Sequence, residues 1–110
     1  MNLNSEIITG NVVIHVKEER LDAHNSAELK LEFQKLFASG SQNLLVDLKE
    51  VRFIDSSGLG ALVSGFKNAT TSHGSLRLAS LQPQVKSMFE LTRLHRVFEI
   101  YQTVAEALEK

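Results

Sequence analysis

The chain contains no cysteine, which excludes a disulfide framework and any metal site built on thiolates. No apolar run approaches the roughly 20 residues that a membrane-spanning helix requires. The N-terminal residues, MNLNSE, lack the basic and apolar segments of a signal peptide. The 12 basic and 13 acidic side chains leave a net charge of −1, which favours neither nucleic acid nor an anionic membrane as a partner. We therefore expect a cytoplasmic protein that binds neither.

The signatures of common enzyme classes are also missing. The segment Asp55–Gly58 (DSSG) is not the Gly-x-Ser-x-Gly turn of a hydrolase, and no Gly-Lys-Ser/Thr phosphate loop occurs. Gly58-Leu59-Gly60 begins like a dinucleotide fingerprint, but Val63 stands where the third glycine belongs. The four histidines lack the spacing of metal ligands: His15, His24, His73 and His95. We expect no catalysis and no cofactor.

The hydrophobic pattern predicts strands that alternate with helices. Strands are expected at residues 7–16 (two strands around a Gly-Asn turn), 44–48, 76–79 and 97–100. Helices are expected at about 25–39, at 57–70, from Gln82-Pro83 onwards, and after Thr103, which forms a capping box with Glu106. The third helix should bury Val85, Met88, Phe89 and Leu91. We therefore predict one α/β domain over residues 1–110, with a mixed, mostly parallel sheet of four or five strands and about four packed helices.

The segment FIDSSGLG, residues 53–60, carries the clearest functional signal. A hydrophobic strand ends, Asp55 follows, Ser56 and Ser57 add two hydroxyl groups, and an amphipathic helix begins. Helix N-termini expose backbone N–H groups and attract anions. We hypothesise that the serine pair is a covalent switch, which accepts a phosphate without unfolding the protein. The alternative is an ordinary helix cap, because Asp and Ser are common at helix starts.

The predicted second helix has two different faces on a wheel of 100° per residue. One face is the expected core stripe of Leu59, Leu62, Val63, Phe66 and Thr70. The opposite face holds only small or short polar residues: Ser57, Ala61, Ser64 and Asn68. Because such a face lets another backbone approach closely, we interpret it as a docking surface, although a neighbouring helix could also cover it. On this interpretation Ala61→Arg would abolish partner binding and leave the melting temperature nearly unchanged.

With the strand, the Asp-Ser-Ser-Gly-Leu-Gly loop and the helix in place, the chain resembles the STAS domain of bacterial anti-sigma factor antagonists. The resemblance covers almost the whole length and includes Val46-Asp47-Leu48, Leu21-Asp22-Ala23 and the segment 85–98. It implies that Ser57 is phosphorylated by a partner that is both an anti-sigma factor and a serine kinase. It further implies that the unphosphorylated protein binds this partner and frees a sigma factor, and that a PP2C-like phosphatase resets the switch.

The resemblance also implies site residues. Asp22 matches an acidic family position near the serine loop, and Asp55 matches the acid two residues before the phosphoserine. Of the histidines, only His24 is expected to approach the loop. The predicted partner-binding residues are Asp22, His24, Asp55, Ser56, Ser57, Gly58, Leu59, Ala61, Ser64 and Asn68. Leu31 is a further candidate anchor if the first helix borders the docking face. We expect a monomer or a weak dimer.

The chain departs from the family pattern at two places. Glu19-Arg20 stands where family members often carry Gly-Glu or Gly-Asp, and Arg93 replaces a small residue, often glycine. The first change predicts a different turn into the first helix and a different choice of partner. Two other functions remain open. One is a STAS subunit of a larger signalling assembly, or a partner-switching regulator of a non-sigma target, and the other is an enzyme with Ser57 as nucleophile.

Overall fold

A computed structural model describes residues 1–110 of the chain. The strands are β1 (Leu3–Ile8), β2 (Asn11–Val16), β3 (Arg20–Leu21), β4 (Asn43–Asp47), β5 (Phe53–Ile54), β6 (Ser75–Ala79) and β7 (Ile100–Tyr101). The helices are α1 (Ser26–Ala38), α2 (Ser56–Thr71), α3 (Pro83–Leu91) and α4 (Val104–Leu108), with a 3₁₀ turn at Leu94–Arg96. None of these helices has the length and apolar character that crossing a membrane requires.

Five strands form one sheet in the order β1-β2-β4-β6-β7. β1 and β2 are antiparallel and are joined by a two-residue turn, Thr9-Gly10, in which both residues have positive φ. The other neighbouring strands run parallel, as expected where helices connect successive strands. The predicted α/β fold, with a mixed, mostly parallel sheet and four helices, is confirmed.

β3 and β5 lie apart from this sheet and pair with each other as a short parallel ribbon. Their inward side chains, Leu21 and Ile54, are buried in the main core. Only Asp55 separates the end of β5 from the first residue of α2, so the ribbon determines where that helix starts. β3 has no signature in the sequence, because two residues are too few to show a strand period.

The nearly continuous apolar run of β4 reflects burial on both faces of the sheet. Leu44 and Val46 belong to a core of 20 buried residues, to which α1, α2 and α3 all contribute side chains. Leu45 points to the opposite face, where Ala107 of α4 packs against it in a smaller cluster. β4 is therefore a central strand that is covered on both faces of the sheet.

Asp47, at the end of β4, is the one charged side chain among the buried residues. Its Oδ1 accepts a hydrogen bond from the N–H of Lys49, and its Oδ2 lies 2.7 Å from Nδ1 of His15. The other ring nitrogen of His15, Nε2, lies 2.6 Å from a carboxylate oxygen of Glu6. A buried carboxylate is tolerated when it is paired and hydrogen-bonded in this way. These contacts tie the edge strand β1 to the centre of the sheet.

Two predictions in the C-terminal third are wrong. The strand expected at 97–100 is confined to Ile100–Tyr101, because the N–H groups of Val97 and Phe98 still donate to the carbonyl of Leu94 in the 3₁₀ turn. Leu91, expected in the core, is 80% exposed. It lies about 200° around α3 from the buried Phe89, so the two cannot share one helix face.

Arg93, which follows α3, has a left-handed backbone with φ of 61°. In this conformation the Cβ of an L residue crowds the backbone, whereas glycine adopts it freely. The structure thus gives a physical reason for the glycine that the family resemblance places here. The fold accommodates the arginine with its side chain exposed.

Arg93→Gly is expected to raise the free energy of unfolding by about 0.5–1 kcal/mol, the relief of left-handed strain less the larger chain entropy of glycine. Urea unfolding of the two proteins measures this difference. The control is Arg93→Ala, which removes the same side chain and keeps the strain, so it should give no gain. Equal gains for both variants would show that the arginine side chain, and not the backbone, is responsible.

Candidate functional site

Asp55 stands between β5 and α2 as the N-cap of the helix. Its Oδ1 accepts a hydrogen bond from the N–H of Gly58 at 2.9 Å, and its carbonyl accepts one from the N–H of Leu59 at 3.0 Å. A carboxylate suits this position because it satisfies a free N–H and faces the positive end of the helix dipole. Asp55 therefore helps to hold the helix start in place.

Ser56 and Ser57 occupy the first two positions of α2, and both are exposed. Their backbone N–H groups have no acceptor within the helix, because intrahelical donation begins further along. Neither hydroxyl takes part in a hydrogen bond with the rest of the protein. Both oxygens are thus open to a modifying enzyme. Exposure does not distinguish the two serines, so the assignment to Ser57 stays a prediction.

Gly58 sits where the helix start meets the ribbon. A Cβ built on it would lie 2.4 Å from the carbonyl oxygen of Leu21 and 2.7 Å from Cγ1 of Ile54. Real Cβ atoms do not approach a backbone oxygen this closely. Only glycine therefore allows the first turn of α2 to pack against β3. This contact determines where the serine pair lies relative to the core.

Asp22 lies in the tight turn between β3 and α1. Its Oδ1 accepts a hydrogen bond from the N–H of His24 at 3.0 Å, and its own N–H donates to Oδ1 of Asn25 at 3.0 Å. The amide of Asn25 also donates to the carbonyl of Arg20 at 2.8 Å. Asn25 is the N-cap residue of α1, but these turn contacts use its side chain in place of a cap hydrogen bond. The turn is thus closed although Glu19-Arg20 precedes it.

The structure brings Asp22 and Asp55 to one small surface depression of about 200 Å³. His24 is not among the residues that line it, although its Nδ1 lies 3.6 Å from Oδ1 of Asp22. Four further residues line the same depression, of which only Arg20 stands out in the sequence: Arg20, Phe53, Ile54 and Gln84. They come from three separate elements, and the pairing of β3 with β5 across 33 residues has no signature in the sequence.

The prediction that Ala61 belongs to an open docking face of α2 is wrong. Ala61 is only 4% exposed, because α1 packs against this side of the helix. One turn further on, Gly65 is so close to the ring of Phe33 in α1 that a Cβ would lie 2.5 Å from it. For Ala61 the alternative, a neighbouring helix that covers the small residues, is the one observed. Because this side chain is buried, we now expect Ala61→Arg to disrupt the core and to lower the melting temperature.

The remaining residues of the predicted core stripe and docking face differ in how exposed they are. Gly58 and Leu59 are buried, so neither offers a side chain to a partner. Thr70, expected in the core stripe, is exposed instead. Ser64 and Asn68 are partly exposed and extend along α2 away from the serine pair. The accessible surface at the site therefore consists of the helix start and the Asp22 turn, together with parts of two side chains on α2. Leu31 on α1 is 57% exposed.

A comparison with protein families matches residues 2–107 to the STAS domain. The chain belongs to the STAS domain family. Curated STAS relatives include the anti-sigma-B factor antagonists of Bacillus subtilis and Listeria monocytogenes, which are 30% and 32% identical to this chain over 101 and 103 residues. Each alignment covers 91% of this chain, and 92% and 90% of the respective relative.

Solved STAS structures agree with the fold. The NMR structure of TM1081 from Thermotoga maritima has a TM-score of 0.84 at 30% identity, and the match covers 96% of this chain and 85% of that one. SpoIIAA of Bacillus, solved in its phosphorylated form, has a TM-score of 0.76 over 98% of this chain and 97% of its own. At 21% identity, the SpoIIAA match supports the fold alone.

Gly58→Ala is expected to lower the free energy of unfolding by about 1–3 kcal/mol, the usual range for overpacking, because the helix start must move off the Leu21 carbonyl. Gly60→Ala is the matched control, since a Cβ at Gly60 meets open space and favours helix by up to about 1 kcal/mol. Urea unfolding compares the two variants. If Gly58→Ala proved as stable as Gly60→Ala, the close contact would not determine the position of α2.

Proposed function

We propose that this STAS protein is an anti-sigma factor antagonist controlled by phosphorylation at Ser57. The unphosphorylated protein binds an anti-sigma factor that is also a serine kinase, and a sigma factor is thereby released. Transfer of phosphate from ATP to Ser57 ends the binding, and a PP2C-like phosphatase restores it. This exchange of partners takes place in the cytoplasm, and the kinase supplies ATP and Mg²⁺.

The observation that carries the proposal is the free, exposed hydroxyl of Ser57 at the second position of α2. It lies beside backbone N–H groups that no intrahelical acceptor uses, and a phosphate there faces the positive end of the helix dipole. Asp55, the N-cap of the same helix, lines one surface depression together with Asp22, and these are the two acids expected near the phosphoserine. The names of the Bacillus and Listeria relatives support the same function.

The fold should tolerate the phosphate. A phosphoserine adds about −1.5 to −2 charges at neutral pH. The helix dipole stabilises an anion at this end by roughly 0.3–1 kcal/mol, while the carboxylates of Asp22 and Asp55 oppose it. Because the hydroxyl is exposed, the phosphate oxygens stay in water and displace no core side chain. The local effects are small and partly cancel, so the modified protein keeps its structure.

A bound partner would experience the same charge very differently. At about 5 Å, a partner carboxylate is repelled by roughly 3 kcal/mol for each unit of charge, at an effective dielectric constant near 20. Removing water from the phosphate at an interface adds a further cost. About 3 kcal/mol already corresponds to more than a hundredfold in affinity. Repulsion and occlusion at a preformed surface therefore suffice for switching, without refolding of the antagonist.

The switch is tested with purified anti-sigma factor kinases encoded in the same genome. With ATP and Mg²⁺, mass spectrometry should find one phosphate on Ser57 of the wild-type protein and none on Ser57→Ala. In calorimetric titrations with ADP, Ser57→Asp should bind the kinase at least tenfold more weakly than wild type, because its carboxylate mimics part of the phosphate charge. Ser57→Ala should bind as wild type does and should stay bound when ATP is added.

Ser56→Ala is the matched control, since it removes an equally exposed hydroxyl one residue away. It should still be phosphorylated at Ser57 and released. Phosphate on Ser56 of the Ser57→Ala protein would move the site to the neighbouring residue. Wild-type affinity of Ser57→Asp, together with no phosphate on either serine, would contradict the proposed function.

A further inference from the structure

The ribbon of β3 and β5 presents an arginine and a phenylalanine on its outer face. Arg20 lies directly opposite Phe53 in the register of this pair. Because Leu21 and Ile54 point into the core, the two-residue period of a strand turns their neighbours outward. The guanidinium carbon of Arg20 lies 4.8 Å from the centre of the Phe53 ring, and that ring is 41% exposed.

The guanidinium of Arg20 is oriented, but none of its N–H groups is used in a hydrogen bond. The nearest carboxylate, that of Asp22, lies 3.8 Å from Nε, which is beyond hydrogen-bond distance. Stacking on an aromatic face holds the plane of a guanidinium, and its fork of N–H donors matches a carboxylate in a bidentate pair. Arg20 therefore has one long ion pair, with Asp22, and its fork of N–H donors remains free for an acidic group of a partner.

The pair is attached rigidly to the switch. The N–H of Phe53 donates to the carbonyl of Glu19 at 3.2 Å, and the N–H of Asp55 donates to the carbonyl of Leu21 at 3.3 Å. Arg20 and Phe53 also line the same depression as Asp55. A partner that covers the start of α2 would therefore meet the stacked pair at the edge of its footprint.

We propose that Arg20 and Phe53 are specificity-determining contacts of the partner-binding surface. Arg20 pairs with a carboxylate of the anti-sigma factor, and Phe53 packs against an apolar side chain beside it. This inference rests on the proposed function, since it concerns the same partner. Arginine and aromatic residues are the types that most often dominate the energy of an interface.

The test measures binding to the purified kinase that phosphorylates Ser57, in the presence of ADP and by surface plasmon resonance. Arg20→Glu should weaken binding at least tenfold, mainly through faster dissociation, because a desolvated charge pair is lost. Arg20→Lys should weaken it severalfold, since an ammonium group keeps the charge but lacks the planar fork. Arg52→Glu is the matched control, because Arg52 is also exposed and lies beside Phe53 in sequence but is not stacked on it. It should change affinity less than twofold.

Equal losses for Arg20→Glu and Arg52→Glu would overturn the inference, because they would reveal only a general effect of charge. Unchanged affinity of Arg20→Glu would overturn it too. In either case, weak binding of Ser57→Asp would leave the proposed function intact. If Arg20→Glu unfolds in urea more easily than wild type, Arg20→Gln replaces it, and wild-type affinity of that variant counts against the contact. Absence of any kinase that acts on Ser57 would remove the proposed function and this inference together.

Discussion

The start of α2 rests on the carbonyl of Leu21, so closely that a single methyl group at Gly58 would overlap it. This contact joins the ribbon of β3 and β5 to the helix that carries the serine pair. Asp55 completes the junction, since its backbone N–H donates to the ribbon and its side chain accepts from the helix. The positions of Ser56, Ser57, Asp22 and Arg20 relative to one another all follow from it.

In α2, the residues that stabilise the fold and the residues that are exposed to a partner lie on different parts of the helix. Its buried face, which includes Leu59, Ala61 and Leu62, packs into the core and against α1. Its first two residues project beyond that packing, where a change of charge meets water and not the core. A covalent group can therefore alter what the surface binds while the fold remains the same. The switch that we propose therefore requires no hinge and no second conformation.

The charges around the junction are mixed. Asp22 and Asp55 contribute two carboxylates and Arg20 one guanidinium to the same depression. The carboxylates are engaged in the turn and the cap, whereas the guanidinium is stacked on Phe53 and forms only a long ion pair with Asp22. The acids thus have a structural task besides any role in binding. Arg20 has none of comparable strength, because an exposed cation–π pair contributes only about 0.5–1 kcal/mol.

Several features could be predicted from sequence because they depend on residues near one another in the chain. The alternation of β4 and β6 with helices, the cap of α4 by Thr103 and the placement of Ser57 at a helix start are of this kind. Features that depend on distant segments could not. Ala61 has the same small side chain whether it faces a partner or α1, and only packing against Phe33's helix decides between them.

The sequence by itself determined that an apolar strand ends in an acid and two hydroxyls at the start of a helix, since these are matters of local period and capping. The tertiary structure decided which side of that helix remains open, because burial is set by the neighbours that α2 acquires on folding. It also decided that Arg20 meets Phe53, since a two-residue ribbon between segments 33 positions apart forms only when both of its strands are anchored in the core.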